Sequence, residues 1–220
     1  MSELILSRLR QTGVVAIVRG VDGDVLPTLA EALYAGGVRL LEVTLNTKGA
    51  LQSIAQLAAA FGDRMSIGAG TVLTEEAARQ AQAHGAQFFV TPHVGQDVIA
   101  YGVRMGIPVM AGAMTPTEIY TAHVSGASAV KVFPVGTLGA GYLREVRGPF
   151  DKIPLLAVGG VTLANAQSFL AAGAIGWGLG GGLLDKQALA AGDFAKMKQN
   201  AKAFIDVYHR FTQMSPHPEN

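Results

Sequence analysis

The sequence predicts a (β/α)8 barrel, and three observations carry that expectation. Short apolar runs rich in β-branched residues recur at intervals of roughly 20–27 residues. Between them lie alanine-rich stretches with helical spacing. Most of the 28 glycines fall at the junctions, some between a helical stretch and the next apolar run, others after an apolar run. Strands alternating with helices argue for parallel βαβ units. Eight such units in 220 residues make a compact barrel.

The elements follow in order. The first dozen residues read as a short helix ahead of the first strand. Strands are expected to begin near Val14, Val38, Met65, Gln87, Ile107, Ser128, Pro154 and Ala174. Helices are expected over 26–34, 50–60, 75–84, 119–124 and 164–171, and a last one over 193–208. That last helix carries Phe194, Met197, Ala201, Phe204, Ile205 and Tyr208 on one face. Gly36, Gly37, Gly62, Gly85, Gly106, Gly126 and Gly173 each stand where a helix ends in a left-handed residue, which glycine adopts without a Cβ penalty. A second set, Gly20, Gly68, Gly70, Gly112, Gly136, Gly159, Gly160 and Gly180 to Gly182, is expected at C-terminal strand ends, where a barrel keeps its site. No linker divides the chain, so residues 1–220 read as one domain, with a fraying tail over 212–220.

Composition narrows the chemistry. Half of the residues are hydrophobic and 15% are charged, which excludes disorder for the bulk of the chain. A net charge of +1 argues against nucleic acid as a partner. The absence of cysteine removes disulfides, thiolate nucleophiles and cysteine-ligated metals. No His, Asp and Glu cluster has metal-ligand spacing, so neither a metal nor a cofactor is expected. No stretch approaches a membrane span, and no targeting segment is visible, so a cytoplasmic protein is the expectation.

Two charged residues interrupt apolar strands. Lys131 stands in Ala129-Val130-Lys131-Val132-Phe133, and Glu42 in Leu40-Leu41-Glu42-Val43-Thr44. An amine facing an apolar barrel wall loses affinity for its proton and becomes nucleophilic. A buried carboxyl gains proton affinity and can carry protons near neutrality. The bland alternatives are a lysine that reaches solvent and an ion pair between the two. Arg19 closes the first strand, where its fork suits a carboxylate or phosphate. Gly159 with Gly160, and Gly180 to Gly182, follow the seventh and eighth strands, the usual phosphate cradle of such barrels. Asn165 and Thr162 read as caps of the next helix. Thr71 and Thr91 sit at strand ends, where hydroxyls hold a ligand or cap a helix; His93 reads as a solvated loop residue.

Glu42-Val43-Thr44-Leu45, Gly68-Ala69-Gly70-Thr71-Val72-Leu73, Lys131-Val132-Phe133-Pro134 and Val158-Gly159-Gly160-Val161 occur in this order. Together they resemble the class I aldolases acting on 2-keto-3-deoxy-6-phosphogluconate, 2-keto-3-deoxy-6-phosphogalactonate and 4-hydroxy-2-oxoglutarate. The resemblance covers nearly the whole chain. It implies a trimer of barrels, a Schiff base on Lys131 and proton transfer by Glu42. It further implies Arg19 and Thr71 on the substrate carboxylate, and Pro92 and Phe133 as pocket walls. Gly159, Gly160, Gly181 and Gly182 resemble the family's phosphate site. The implied substrate is a small phosphorylated 2-keto-3-deoxy sugar acid, with no nucleic acid or membrane partner. Asn46, Val158 and Gly182 depart from the gluconate-type pattern, which carries arginine, threonine and serine there. Asn46, Val158 and Arg19 resemble the galactonate branch, and Val158 lacks a hydroxyl to meet the substrate's C4 hydroxyl. The residues alone also admit a phosphosugar isomerase or epimerase with Glu42 as base, or a non-catalytic barrel that binds a phosphate ligand.

Overall fold

The computed structural model describes residues 2–214. A helix, α1 (Ser2–Thr12), precedes eight parallel strands that close into a barrel in sequence order. The strands are β1 (Val14–Val18), β2 (Leu40–Thr44), β3 (Ser66–Gly70), β4 (Phe89–Val90), β5 (Val109–Ala113), β6 (Ala129–Val132), β7 (Leu155–Val158) and β8 (Gly176–Leu179). The helices between them are α2 (Leu26–Ala35), α3 (Ala50–Phe61), α4 (Glu75–Ala83), α5 (Gln96–Met105), α6 (Pro116–Val124), α7 (Val135–Arg147) and α8 (Ala166–Ala171). After β8 come α9 (Lys186–Ala190) and α10 (Phe194–Met214). The expected (β/α)8 barrel is therefore the fold. Of the expected tail, 212–214 belong to α10, and 215–220 lie outside the described residues.

Each strand starts at or within two residues after its expected position, and the delay has a physical cause. Val38, Ile107 and Ala174 are apolar, but their N–H groups turn back to Leu33, Gly102 and Phe169 and close the preceding helix. Gly37 (φ 101°) and Gly106 (φ 65°) supply the left-handed residue these closures need. Two expected left-handed positions are corrected. Gly36 (φ −80°) and Gly62 (φ −51°) remain in the right-handed region. At Gly36 the constraint is proximity instead, because a Cβ there would lie 2.7 Å from the Ala201 Cβ on α10.

The core has two layers. Inside the barrel, Val15, Leu40, Phe88, Met110, Leu156 and Val158 pack together. Ile5 and Leu9 of α1 join them and close the N-terminal end of the barrel. Each such fully buried aliphatic side chain contributes about 1.5–3 kcal/mol. The second layer lies between the strands and the outer helices. In it Trp177 donates to the Ala166 carbonyl (3.1 Å) and meets the rings of Phe204 and Tyr208 on α10 edge-on at 6.0 Å. That aromatic cluster anchors the last helix across β8 and leaves the C-terminal end of the barrel free for a site. Among the described residues, no helix is long and apolar enough to cross a membrane.

Candidate active site

Lys131 lies in mid-β6, paired in register with Gly112 on β5 and Leu156 on β7. Period-two geometry puts it on the inner face with Ala129. It is 7% exposed, and burial lowers its proton affinity. The carboxyl of Glu42 opposes that shift, and the guanidinium of Arg19 adds to it. The Lys131 Nζ lies 5.0 Å from the centre of the Phe133 ring. Arg19 and Phe133 thus bound the amine at the mouth of the barrel.

Glu42 occupies the inner face of β2 with Leu40 and is 1% exposed. Among the described residues its Oε2 has no hydrogen-bond partner. Burial pushes its pKa from 4.5 up to about 7, against the pull of Lys131 and Arg19. Among the described residues no ion pair within 4.0 Å joins Glu42 to Lys131. The two are near enough to act on each other's charge without neutralising each other. Gly70 explains how the carboxyl fits. A Cβ at that position would overlap the carboxylate, with Cδ only 2.5 Å away. The glycine is thus a space left for Glu42. Gly70 closes β3 and Gly112 stands next to last in β5, at C-terminal strand ends as expected, whereas Gly68 lies in mid-β3 and Gly136 in the first turn of α7, which corrects the expectation for those two.

A cavity of about 1080 Å3 opens above these residues. Arg19, Lys131, Phe133, Val158, Gly159, Gly160, Gly181 and Gly182, all singled out in the sequence, line it together. The N–H groups of Gly160, Val161, Gly181 and Gly182 donate to no acceptor among the described residues, so they are open to an anion. Gly160 is left-handed (φ 74°), and a Cβ there would press on the Gly136 backbone at 2.9 Å. A side chain at 182 would collide with the Val161 carbonyl. Backbone approach, and not a side-chain donor, therefore defines this cradle.

Three expected residues are not in the cavity wall. Glu42 lies beneath it, while Thr71, half-buried after β3, and Pro92, after β4, stand elsewhere at the barrel mouth. Pro92 packs its backbone against Gly112. Thr91 is fully buried; its hydroxyl accepts from the Gly112 N–H (3.1 Å) and donates to the His93 carbonyl (2.6 Å), a structural tie. His93 is exposed, as expected. Asn165 does not cap α8 with its side chain. Instead its Oδ1 accepts from the Thr162 N–H (2.8 Å), and its Nδ2 donates to the Gly160 carbonyl (3.0 Å), fixing the glycine loop. Thr44 and Thr47 share a hydrogen bond of 3.1 Å, and Thr47 accepts from the Gly20 N–H (2.9 Å), which ties the loop after Arg19 to β2. The cavity also takes in Asp22, Leu184, Lys186 and Leu189, none of which the sequence singled out.

Comparison with known proteins places the chain. Residues 5–200 match the family model described as KDPG and KHG aldolase. The 2-dehydro-3-deoxy-6-phosphogalactonate aldolase of Escherichia coli (strain K12) is 36% identical, covering 90% of this chain and 96% of that protein. The 2-dehydro-3-deoxy-phosphogluconate aldolase of Treponema pallidum (strain Nichols) is 37% identical, covering 92% and 95%. A solved structure of KDPG aldolase from Legionella pneumophila, with pyruvate captured as a covalent carbinolamine intermediate, is similar at a TM-score of 0.84. It is 26% identical and covers 90% of this chain and 97% of that one.

Proposed function

The chain belongs to the KDPG and KHG aldolase family and is a lyase, and from that premise we propose its substrate and the residues that act on it. The substrate is a six-carbon 2-keto-3-deoxy-6-phospho sugar acid, cleaved to pyruvate and D-glyceraldehyde 3-phosphate. The observation that carries the proposal is a buried amine, Lys131, in the wall of a cavity lined by two glycine loops, and a buried carboxyl, Glu42, beneath it and unpaired with the amine among the described residues.

The chemistry follows from their environments. The neutral Lys131 amine attacks the C2 carbonyl, and its extra proton passes to the oxygen to give a carbinolamine. Protonated Glu42 releases the hydroxyl as water and leaves an iminium on Nζ. Glu42, now a carboxylate, takes the proton of the C4 hydroxyl. The C3–C4 bond breaks, its electron pair passes to the iminium as an enamine, and the aldehyde departs. Protonation at C3 and hydrolysis release pyruvate and restore Lys131. A group with a pKa of about 7 holds or yields a proton equally well near neutrality, which suits Glu42 to both roles.

Arg19 and Thr71 hold the substrate carboxylate, Phe133 and Pro92 bound the reacting carbons, and Gly159, Gly160, Gly181 and Gly182 offer backbone donors to the phosphate. Val158 faces the cavity with methyl groups only, which favours the galacto over the gluco epimer at C4. A trimer in the cytoplasm completes the proposal. Tyr120 stacked on Phe150 (6.0 Å between rings), with Val124 exposed nearby on α6, is apolar surface consistent with a covering copy. A coupled assay of pyruvate release tests the substrate. We expect turnover of both phosphorylated epimers, faster for galacto, and slower turnover of unphosphorylated 4-hydroxy-2-oxoglutarate. Pyruvate from none of the three overturns the proposal.

A further inference from the structure

We infer that Lys186, at the start of α9, is a specificity-determining residue that receives the charged terminus of the phosphorylated substrate. The inference rests on the aldolase reading above and deepens it. Lys186 lines the same cavity as Lys131 and the glycine loops. The charged residues in that wall are Arg19, Lys131 and Lys186 against a single carboxylate, Asp22. A substrate with a carboxylate at one end and a phosphate at the other asks for positive charge at both ends.

Arg19 and Lys186 line different parts of the wall. Arg19 acts on the charge of Lys131, so it stands by the reacting end. Lys186 shares its stretch of wall with Leu184, Leu189 and Ala190, beyond the Gly180 to Gly182 loop. Among the described residues Lys186 has no carboxylate within 4.0 Å, so its ammonium is unspent.

The neighbouring backbone shows why a side chain is needed here. Asp185 caps α9 and accepts from the N–H groups of Gln187 and Ala188, both at 2.9 Å, so those amides are taken. Glycine at 182 offers the cradle no hydroxyl. A dianion held by backbone amides alone lacks a counter-charge, and Lys186 supplies one as a compact cation on a flexible stem.

Steady-state kinetics of Lys186→Met and Lys186→Arg test this, with the phosphorylated substrate and its unphosphorylated counterpart. Removing a charge-assisted contact at an exposed site raises KM for the phosphorylated substrate about tenfold. We expect kcat to stay near wild type, the unphosphorylated substrate to be unaffected, and Lys186→Arg to recover most of the loss. Lys152→Met, an exposed lysine just before β7, controls for net charge and should leave KM unchanged. Equal KM changes for both substrates, or no change, overturn the role of Lys186. Pyruvate trapping by borohydride separates the two levels. A wild-type protein that traps no pyruvate overturns the aldolase reading and this inference with it. A Lys186→Met protein that traps pyruvate normally but keeps its wild-type KM overturns this inference alone.

Discussion

Replacing Glu42 with glutamine should stabilise the protein while disabling it. The wild-type side chain is 1% exposed, and its pKa stands at about 7 against an ordinary 4.5. In the unfolded chain Glu42 ionises above about 4.5, whereas in the fold it resists until about 7. A raised native pKa means full stability below the unfolded value and progressive loss as pH rises to the native one. At about 1.4 kcal/mol per pH unit, the loss amounts to about 3 kcal/mol by pH 8. Glutamine has the same shape and never ionises. In a domain of this size that difference moves Tm by about 6–12 °C. Glu42→Gln should therefore melt with wild type at pH 4 and well above it at pH 8, in scanning calorimetry across that range. Its kcat should fall by about 10²- to 10⁴-fold, the usual contribution of a positioned acid–base group. A Tm difference that does not change with pH would refute the burial argument for Glu42.

Four further outcomes follow from the same geometry. Gly70→Ala drives a Cβ into the Glu42 carboxyl, and overpacking of this kind costs about 1–3 kcal/mol; misplacing the carboxyl should lower kcat about 10²-fold. Gly181→Ala meets nothing within 4 Å and should fold with wild-type Tm, as thermal melts would show. Val158→Thr places a hydroxyl in the cavity wall and should shift the ratio of kcat/KM for the two epimers toward gluco by about tenfold, read from paired progress curves. Asn165→Ala frees the Gly160 carbonyl and the Thr162 N–H, and should raise KM for the phosphorylated substrate more than it lowers kcat.

The barrel was legible because its signals are local. Val14 to Val18 and the other apolar runs, the alanine-rich stretches and the helix-ending glycines each report on their own few residues. Less legible is whatever depends on a partner elsewhere in the chain. Gly70 is glycine because of Glu42, and Gly36 because of α10, and no local pattern contains either fact. Asn165 reads as a cap, but the Gly160 carbonyl claims its side chain. Lys131 and Glu42 stood out for the opposite reason, as charges inside apolar strands. Lys186 stayed hidden because an exposed lysine after an aspartate looks like any helix start. Thr115 and Glu118 are a local signal as well: they form a capping box that sets the start of α6 three residues before the expected 119.

The proposed nucleophile is Lys131, lowered in proton affinity by burial and set in the wall of the cavity. Incubation with pyruvate and borohydride, followed by peptide mass spectrometry, reads it directly. One reduced pyruvyl adduct is expected, on Lys131, lost in Lys131→Met and formed more slowly in Glu42→Gln. An adduct on any other lysine, or none at all, would contradict it.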